Sequence, residues 1–352
     1  MRALIAIAFT LSCGHVQARD EYDFPSIGVH TETLVIEASA DLAAIEPLIL
    51  DFQQTELGVS IRYADSLTNE VFARAIEACH EQTTFADIMI TSSVDHVAKL
   101  TNDGCATRHD LATTAAVPEW ANWRNEAFGF SFEPAVIIYN SDLVPPADVP
   151  LTRNALVELL RTKPDVYNGR VGTYDITRSG IGYLFAFFDA EQSSVFGRLL
   201  EGFGRADAVL EPTTGAILEQ IESGDLLIGY NLLGSYAYGR LLAGAPIGIV
   251  LPHDFTIVLS RAALIPPHAS NPSGAARFLD YLLSERGQSV AAEQSFFFGF
   301  DRPPPDGVIA SDDSGAATFY RPITMGPSLL VTLDQAKRAR FLAEWQDAMS
   351  IP

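Results

Sequence analysis

Basic charge is what this sequence has least of. Among its 352 residues, 23 Lys and Arg stand against 44 Asp and Glu, a net charge of -21. A surface of that sign repels phosphate backbones and anionic lipid, which excludes nucleic-acid binding as the main role. A small pocket can still carry its own donors inside an acidic protein. Long hydrophobic runs are missing too, since no stretch reaches the roughly 20 apolar residues that span a bilayer. The seven histidines are scattered and form no metal-spaced cluster with carboxylates. The sequence has no GxSxG elbow, no GxxxxGK[ST] phosphate loop and no CxxC pair. His80-Glu81 opens like a zinc-protease motif, but Thr84 stands where the second His belongs, and Gly202-Phe203-Gly204 lacks the third glycine of a dinucleotide fingerprint. No enzyme signature and no cofactor site is therefore expected. With 48% apolar and 19% charged residues, the chain is not disordered or collagen-like either.

The first residues read as a targeting segment. Arg2 supplies a positive start, Ala3 to Cys13 is apolar or small, and Val16-Gln17-Ala18 has the small-x-small form of a cleavage site. This predicts a secretory signal over 1–18 and a mature, exported chain from about Arg19. Cys13 follows Leu11-Ser12 and raises lipoprotein anchoring as an alternative, although Thr10 stands where such sites usually carry Leu. Export into an oxidising compartment makes Cys79 and Cys105 a candidate disulfide, with two unpaired buried thiols as the other reading.

Strand and helix patterns alternate along the chain. Thr33–Ala38, Val59–Tyr63 and Asp87–Ile90 read as strands; helices follow from Leu42, with Asp41 as N-cap, and over Asn69–Cys79. Pro47 suits the first helix only if that helix starts late. Gly169–Thr173 and Leu226–Tyr230 are further strands, each leading into a helix, and Ala275–Leu283 is strongly helical. Residues 301–320 read as a surface loop before a last helix with Phe341 and Trp345. Strands alternating with helices predict an α/β fold with mostly parallel sheets, and ligands then sit beyond the carboxyl ends of the strands. Extended crossings at Phe128–Asn140 and Thr256–Leu259 divide the chain into two lobes. The first comprises 31–133 with 256–300 and the second 139–250, with 301–352 packing on both.

Three strand ends carry small hydroxyl residues at a helix start: Ser39-Ala40-Asp41, Thr91-Ser92-Ser93 and Thr177-Arg178-Ser179-Gly180. Each offers free backbone N–H groups and a hydroxyl, the equipment for holding an anion, and Arg178 adds a planar fork suited to phosphate or carboxylate. Ordinary N-capping uses the same residues. Tyr236 and Tyr238, after Asn231 and Ser235, are candidate cleft-lining phenols or ferric phenolates, or amphipathic packing.

Five stretches carry a resemblance: FEPAVIIYNSDLV, GRVGTYDITRSGIGYLF, GYNLLGSYAYGRL, PHDFTIVLSRAALIPPHASNPSGAARFLDYLLSERGQ and the tail FYRPITMGPSLLV. They resemble the extracellular solute-binding proteins of ABC importers, in the group with ferric-ion, phosphonate and sugar-phosphate receptors. The resemblance implies a two-lobe type II periplasmic-binding fold, a Venus flytrap with two crossover hinge strands. It implies a monomer that closes on one solute and docks on an inner-membrane permease. Ferric-ion members place adjacent tyrosines after the Asn, whereas here Ala237 separates Tyr236 from Tyr238 and the first lobe offers hydroxyls. The expected ligand is therefore a small organophosphate, phosphonate or carboxylate. It would be held by Ser39, Ala40, Ser92 and Ser93 from one lobe and Thr177, Arg178, Ser179, Asn231 and Tyr236 from the other. Ferric ion on Tyr236 and Tyr238, a sensor-kinase partner, and an exported hydrolase or transferase are the other readings.

Overall fold

The computed structural model describes residues 19–295, 297–300, 308–309 and 319–350. The predicted signal over 1–18 with Cys13, and most of the 301–320 loop, lie outside the described residues. The chain opens with β1 (Asp20–Phe24), β2 (Glu32–Ala38), α1 (Leu42–Thr55), β3 (Val59–Asp65), α2 (Thr68–Glu81), β4 (Ile88–Thr91) and α3 (Val94–Asn102). β5 (Asn122–Trp123), β6 (Ala127–Gly129) and the long β7 (Glu133–Asn140) follow. Next come α4 (Arg153–Thr162), α5 (Pro164–Tyr167), β8 (Val171–Tyr174), α6 (Gly180–Gln192), α7 (Phe196–Arg205), β9 (Val209–Glu211) and α8 (Thr214–Ser223). β10 (Ile228–Leu233), α9 (Gly234–Leu242), β11 (Ile247–Val250), β12 (Thr256–Leu259) and β13 (Ala262–Leu264) complete the two sheets' centres. α10 (Pro272–Leu283), α11 (Glu285–Glu293), β14 (Val308–Ile309), β15 (Tyr320–Pro322), a 3-10 segment Pro327–Leu333 and α12 (Gln335–Met349) end the chain.

The first sheet runs β1-β3-β2-β4-β13-β6-β5, with β2 parallel to β3 and β4. The second runs β14-β11-β7-β10-β8-β9, with β10 parallel to β8 and β8 to β9. Helices cover both faces, so central strands such as β4, β8 and β10 are buried throughout, which is why they read as unbroken apolar runs. The chain passes between the sheets twice, and the two passages are bonded to each other. Val258 and Leu259 of β12 pair with Pro134 and Glu133 of β7. The Phe130 N–H donates to the Arg261 carbonyl (3.0 Å), the Ser131 N–H to Ser260 Oγ (3.2 Å) and the Arg261 N–H to Ser131 Oγ (3.0 Å).

Each lobe has its own core. Ile36, Ile45, Leu48, Phe52, Ile61 and Phe278 fill the first, with Phe52 edge-on to Phe278 at 4.9 Å. Ile137, Leu156, Val171, Leu199, Phe203 and Ile228 fill the second. α1 begins at Leu42 and takes Pro47 inside it, rather than starting late as the sequence suggests. A helix-interior proline costs about 3 kcal/mol. Burying Ile45, Leu48, Ile49 and Phe52 at roughly 1.5–3 kcal/mol each outweighs that cost. β1, which is not among the strands read from the sequence, pairs antiparallel with β3 at the edge of the first sheet.

The C-terminal segment touches both lobes. Thr332 donates to Asp95 of α3 at 3.0 Å, while Phe341 and Trp345 of α12 pack with Tyr183, Phe187 and Phe196 of the second lobe. Among the described residues no helix is long and apolar enough to cross a membrane.

Cys79, near the end of α2, is joined to Cys105, after α3, with Cα atoms 5.6 Å apart. Closing a loop of 26 residues removes unfolded-state entropy worth about 3 kcal/mol in the chain-entropy model. Replacing both cysteines by serine is expected to lower the unfolding free energy of the first lobe by about that amount; a denaturation curve with and without reductant measures it.

Candidate functional site

The loops that leave the carboxyl ends of the strands all turn towards the gap between the sheets. From the first lobe come Ser39 and Asp41 after β2, Ser66 and Thr68 after β3, and Ser92 after β4. From the second come Ser179 after β8, Thr213 and Thr214 after β9, and Leu233 with Tyr236 at the end of β10 and the start of α9. They enclose a cavity of about 310 Å³, onto which the N-termini of α1, α2, α6 and α8 open. Unpaired N–H groups and helix dipoles give such ends an affinity for negative charge.

The sequence-derived residues divide. Ser39, Ser92, Ser179 and Tyr236 line the cavity. Ser39 Oγ is bonded to Thr91 Oγ1 at 3.0 Å, and Ser179 caps α6 by accepting from the Gly182 N–H at 3.2 Å. The Ala40 carbonyl accepts from the buried Tyr63 hydroxyl, which places Ala40 behind the wall. Ser93 is buried against Gly180, its N–H on Thr91 Oγ1 at 3.2 Å. Thr177 folds back on Asp175, its N–H at 2.9 Å and its hydroxyl at 2.6 Å from Oδ1. That turn leaves Thr177 and Arg178 exposed and outside the cavity lining. Asn231 sits in a β-bulge with φ 62°, buried beside a separate void of about 10 Å³ with Thr173, Tyr174 and Tyr230. The bulge turns it away from the helix start where sequence pattern puts it.

The two phenols diverge. Tyr236 and Tyr238 are two positions apart on α9, roughly 200° around the helix. The Tyr236 hydroxyl accepts the Asp41 N–H at 3.1 Å, whereas Tyr238 packs on Phe298 with ring centres 5.6 Å apart. Burial holds the Tyr236 phenol well above its ordinary pKa. Among the described residues no three His, Cys, Asp or Glu side chains converge to hold a metal ion.

The charged part of the cavity is what sequence reasoning missed. Arg261, between β12 and β13, is fully buried at the cavity wall. Its Nη1 donates to the Ser39 carbonyl at 2.8 Å and its Nε lies 3.7 Å from Glu133 Oε1, while Nη2 has no hydrogen-bond partner among the described residues. The guanidinium stands 5.7 Å from the Tyr236 ring centre and 5.2 Å from that of Phe297. Burial alone would lower its pKa, but Tyr236, Glu133, Tyr63 and Asp41 together raise it. Four carboxylates share the cavity: Asp20, Asp41, Asp65 and Glu70. Burial pushes Asp41 up despite Arg261. It pushes Asp65 up to about 8, with the Asp41 charge adding to the shift and Arg261 opposing it. The available signal was a lone Arg inside an otherwise apolar crossing segment, TIVLSRAALI.

The lobes meet closely at one edge of the cavity. The Gly180 N–H donates to Thr68 Oγ1 at 2.7 Å, and Asn69 Nδ2 donates to the Arg178 carbonyl at 2.9 Å. A Cβ on Gly180 would stand 2.6 Å from Ser93 Oγ, 2.8 Å from Asn69 Oδ1 and 2.8 Å from His96 Cε1. Only glycine lets the two lobes approach this far.

A family model described as bacterial extracellular solute-binding protein matches residues 34–297. A substrate-binding protein of an ABC transporter from Agrobacterium tumefaciens is 35% identical, with TM-score 0.87 over 94% of this chain and 99% of that one. The fold is shared with the periplasmic binding protein AfuA from Actinobacillus pleuropneumoniae, solved with fructose-6-phosphate (15% identity, TM-score 0.70, 92% and 100% covered). It is shared equally with iron-bound HitA from Pseudomonas aeruginosa (17% identity, TM-score 0.66, 90% and 99% covered). No curated protein matches the sequence.

Two outcomes follow from this geometry. Gly180→Ala is expected to hold the lobes apart, read as a larger radius of gyration in X-ray scattering; an unchanged value would mean the contact yields. A carboxyl whose folded pKa exceeds its unfolded value of about 4 binds its proton more tightly when folded. The stability tied to Asp65 is thus full below about pH 4 and lost as pH rises through about 8. The melting temperature without ligand should fall from pH 6 to 8.5, and Asp65→Asn should flatten that slope.

Proposed function

The chain belongs to the bacterial extracellular solute-binding proteins, and on that premise we propose that it is the periplasmic receptor of an ABC-type importer, closing on a small solute with an anionic group. The observation that carries this reading is Arg261: a fixed positive charge at the cavity wall whose Nη2 has no partner among the described residues. A buried guanidinium left unsatisfied is costly, and a phosphate, phosphonate or carboxylate oxygen would satisfy it with a charge-assisted bond. The helix ends and the hydroxyls of Ser92 and Thr213 supply further donors on both lobes. A solute bonded to both lobes favours the closed arrangement by its differential affinity for it. The cavity volume of about 310 Å³ sits at the small end of ligand pockets, which suits a metabolite.

Receptor rather than enzyme is the reading that the match of residues 34–297 to an extracellular solute-binding family supports. The divergence of Tyr236 and Tyr238 leaves no observation that favours ferric ion, and none favours a sensor-kinase partner. The delivered solute would pass to an inner-membrane permease.

A thermal-shift panel of sugar phosphates, phosphonates, di- and tricarboxylates and ferric citrate tests the assignment, because a ligand that binds only the folded state raises its stability by mass action. An organic anion is expected to give the shift, and a shift confined to ferric citrate would overturn it. Arg261→Lys, which keeps the charge but loses the fork, is expected to weaken binding at least tenfold. Arg178→Ala should stay within about threefold, since Arg178 lies outside the lining. If Arg261→Lys fails to fold, Ser92→Ala, expected to cost several-fold, carries the same test.

A further inference from the structure

The cavity holds more negative charge than an anion receptor needs. Asp41 is the residue before α1, yet its carboxylate caps no N–H of that helix; Oδ2 instead lies against Gly215 at the start of α8, 3.3 Å from where a Cβ would be. Asp65, at the end of β3, and Asp20, its register partner on β1, stand in the same wall. Among the described residues none of these three carboxylates has a Lys or Arg nitrogen within 4.0 Å, although other surface carboxylates of this chain do. Carboxylates brought together without a cation repel one another, and a solute with anionic groups alone would add to that repulsion. Arg261, fully buried with an Nη2 that has no partner among the described residues, lines the same cavity, so opposite charges share one space.

Resting on the receptor reading above, we propose that the solute is zwitterionic: its anion lies towards Arg261 and an ammonium group lies between Asp41 and Asp65, with Asp20 beyond. The ammonium would supply a counter-charge in direct contact, where Arg261 acts on Asp41 and Asp65 only from beyond salt-bridge distance. Binding is then linked to proton release. Asp65 faces Asp20 and Tyr22 from β1, Asp41 from the loop before α1, Tyr63 on its own strand, Tyr236 from α9, and Arg261. Glu70 of α2 lies in the same cavity. With a pKa of about 8 before binding, Asp65 carries its proton at pH 7. An arriving ammonium keeps its own proton and favours the carboxylate, so the Asp65 proton leaves to buffer and the Asp65–ammonium pair forms.

The test is calorimetry on the mature protein with matched probes: ethanolamine phosphate against ethyl phosphate, and β-alanine against propionate. In at least one pair the amine-bearing member is expected to bind at least tenfold more tightly. Titrations in buffers of different ionisation enthalpy should show close to one proton released per solute at pH 7, with affinity rising several-fold between pH 7 and 8. Asp65→Asn should abolish the proton release and narrow the gap within the pair; Asp20→Asn, at the sheet edge, serves if that variant does not fold. Equal binding by both members overturns the inference and leaves the anion reading standing. Binding of ethanolamine alone, or of ferric citrate alone, overturns both. Preference for glycerol phosphate over every amine-bearing probe overturns the inference and assigns the carboxylates to hydroxyl groups instead.

Discussion

A buried pair of opposite charges ties the molecule together. Arg261 lies in one passage between the lobes and Glu133 begins the strand that forms the other, both without solvent contact. Removing two charges from water is expensive, and hydrophobic residues of the same volume would often be as stable. Here the pair also fixes positions that an apolar substitute could not. Glu133 accepts from Ser131 in the first passage and from Ser235 at the start of α9. Arg261 reaches the Ser39 carbonyl, so hinge, cavity wall and the helix bearing Tyr236 share one network.

That network explains why the cavity is chemically mixed. Strand ends supply hydroxyls and helix N-termini because every parallel strand must turn into a helix there. The fixed positive charge comes from elsewhere, the hinge that bears Arg261, while Asp65 stands at the end of β3 itself. The edge strand β1 brings Asp20 and Tyr22. Burying acids beside that space raises the energy of their ionised forms, seen in the upward shifts of Asp41 and Asp65. A structure pays such costs chiefly where something is to be bound.

The fold was legible because its signals are local. Fully buried strands such as IMIT and VGTY stand out as short apolar runs, and the alternation with helices then selects a parallel architecture. The two crossings were legible as extended segments that no helix follows. What escaped depends on three-dimensional context. Pro47 is tolerated because the packed face of α1 outweighs a lost backbone bond. Asn231 is displaced by a bulge, which sequence does not mark. Arg178 had the right motif, but Asp175 holds its turn away from the cavity. Arg261 had no motif at all, since its position depends on where two distant passages meet. Asp20, Asp41 and Asp65 lie far enough apart in sequence that only the register of β1 against β3 unites two of them.

The contact around Gly180 acts as a mechanical stop. Two rigid bodies that turn about a hinge come to rest where hard atoms touch, and here Gly180 faces Ser93, Asn69 and His96 with no room left for a Cβ. On the receptor reading, the volume left between the lobes would be limited by this contact and not by the solute. A molecule larger than that space leaves the lobes ajar and the clasp of Thr68 on Gly180 unmade. On the receptor reading size would thus be converted into angle, and a partner that recognises the relative orientation of the two lobes could tell a fitting cargo from an oversized one without touching either.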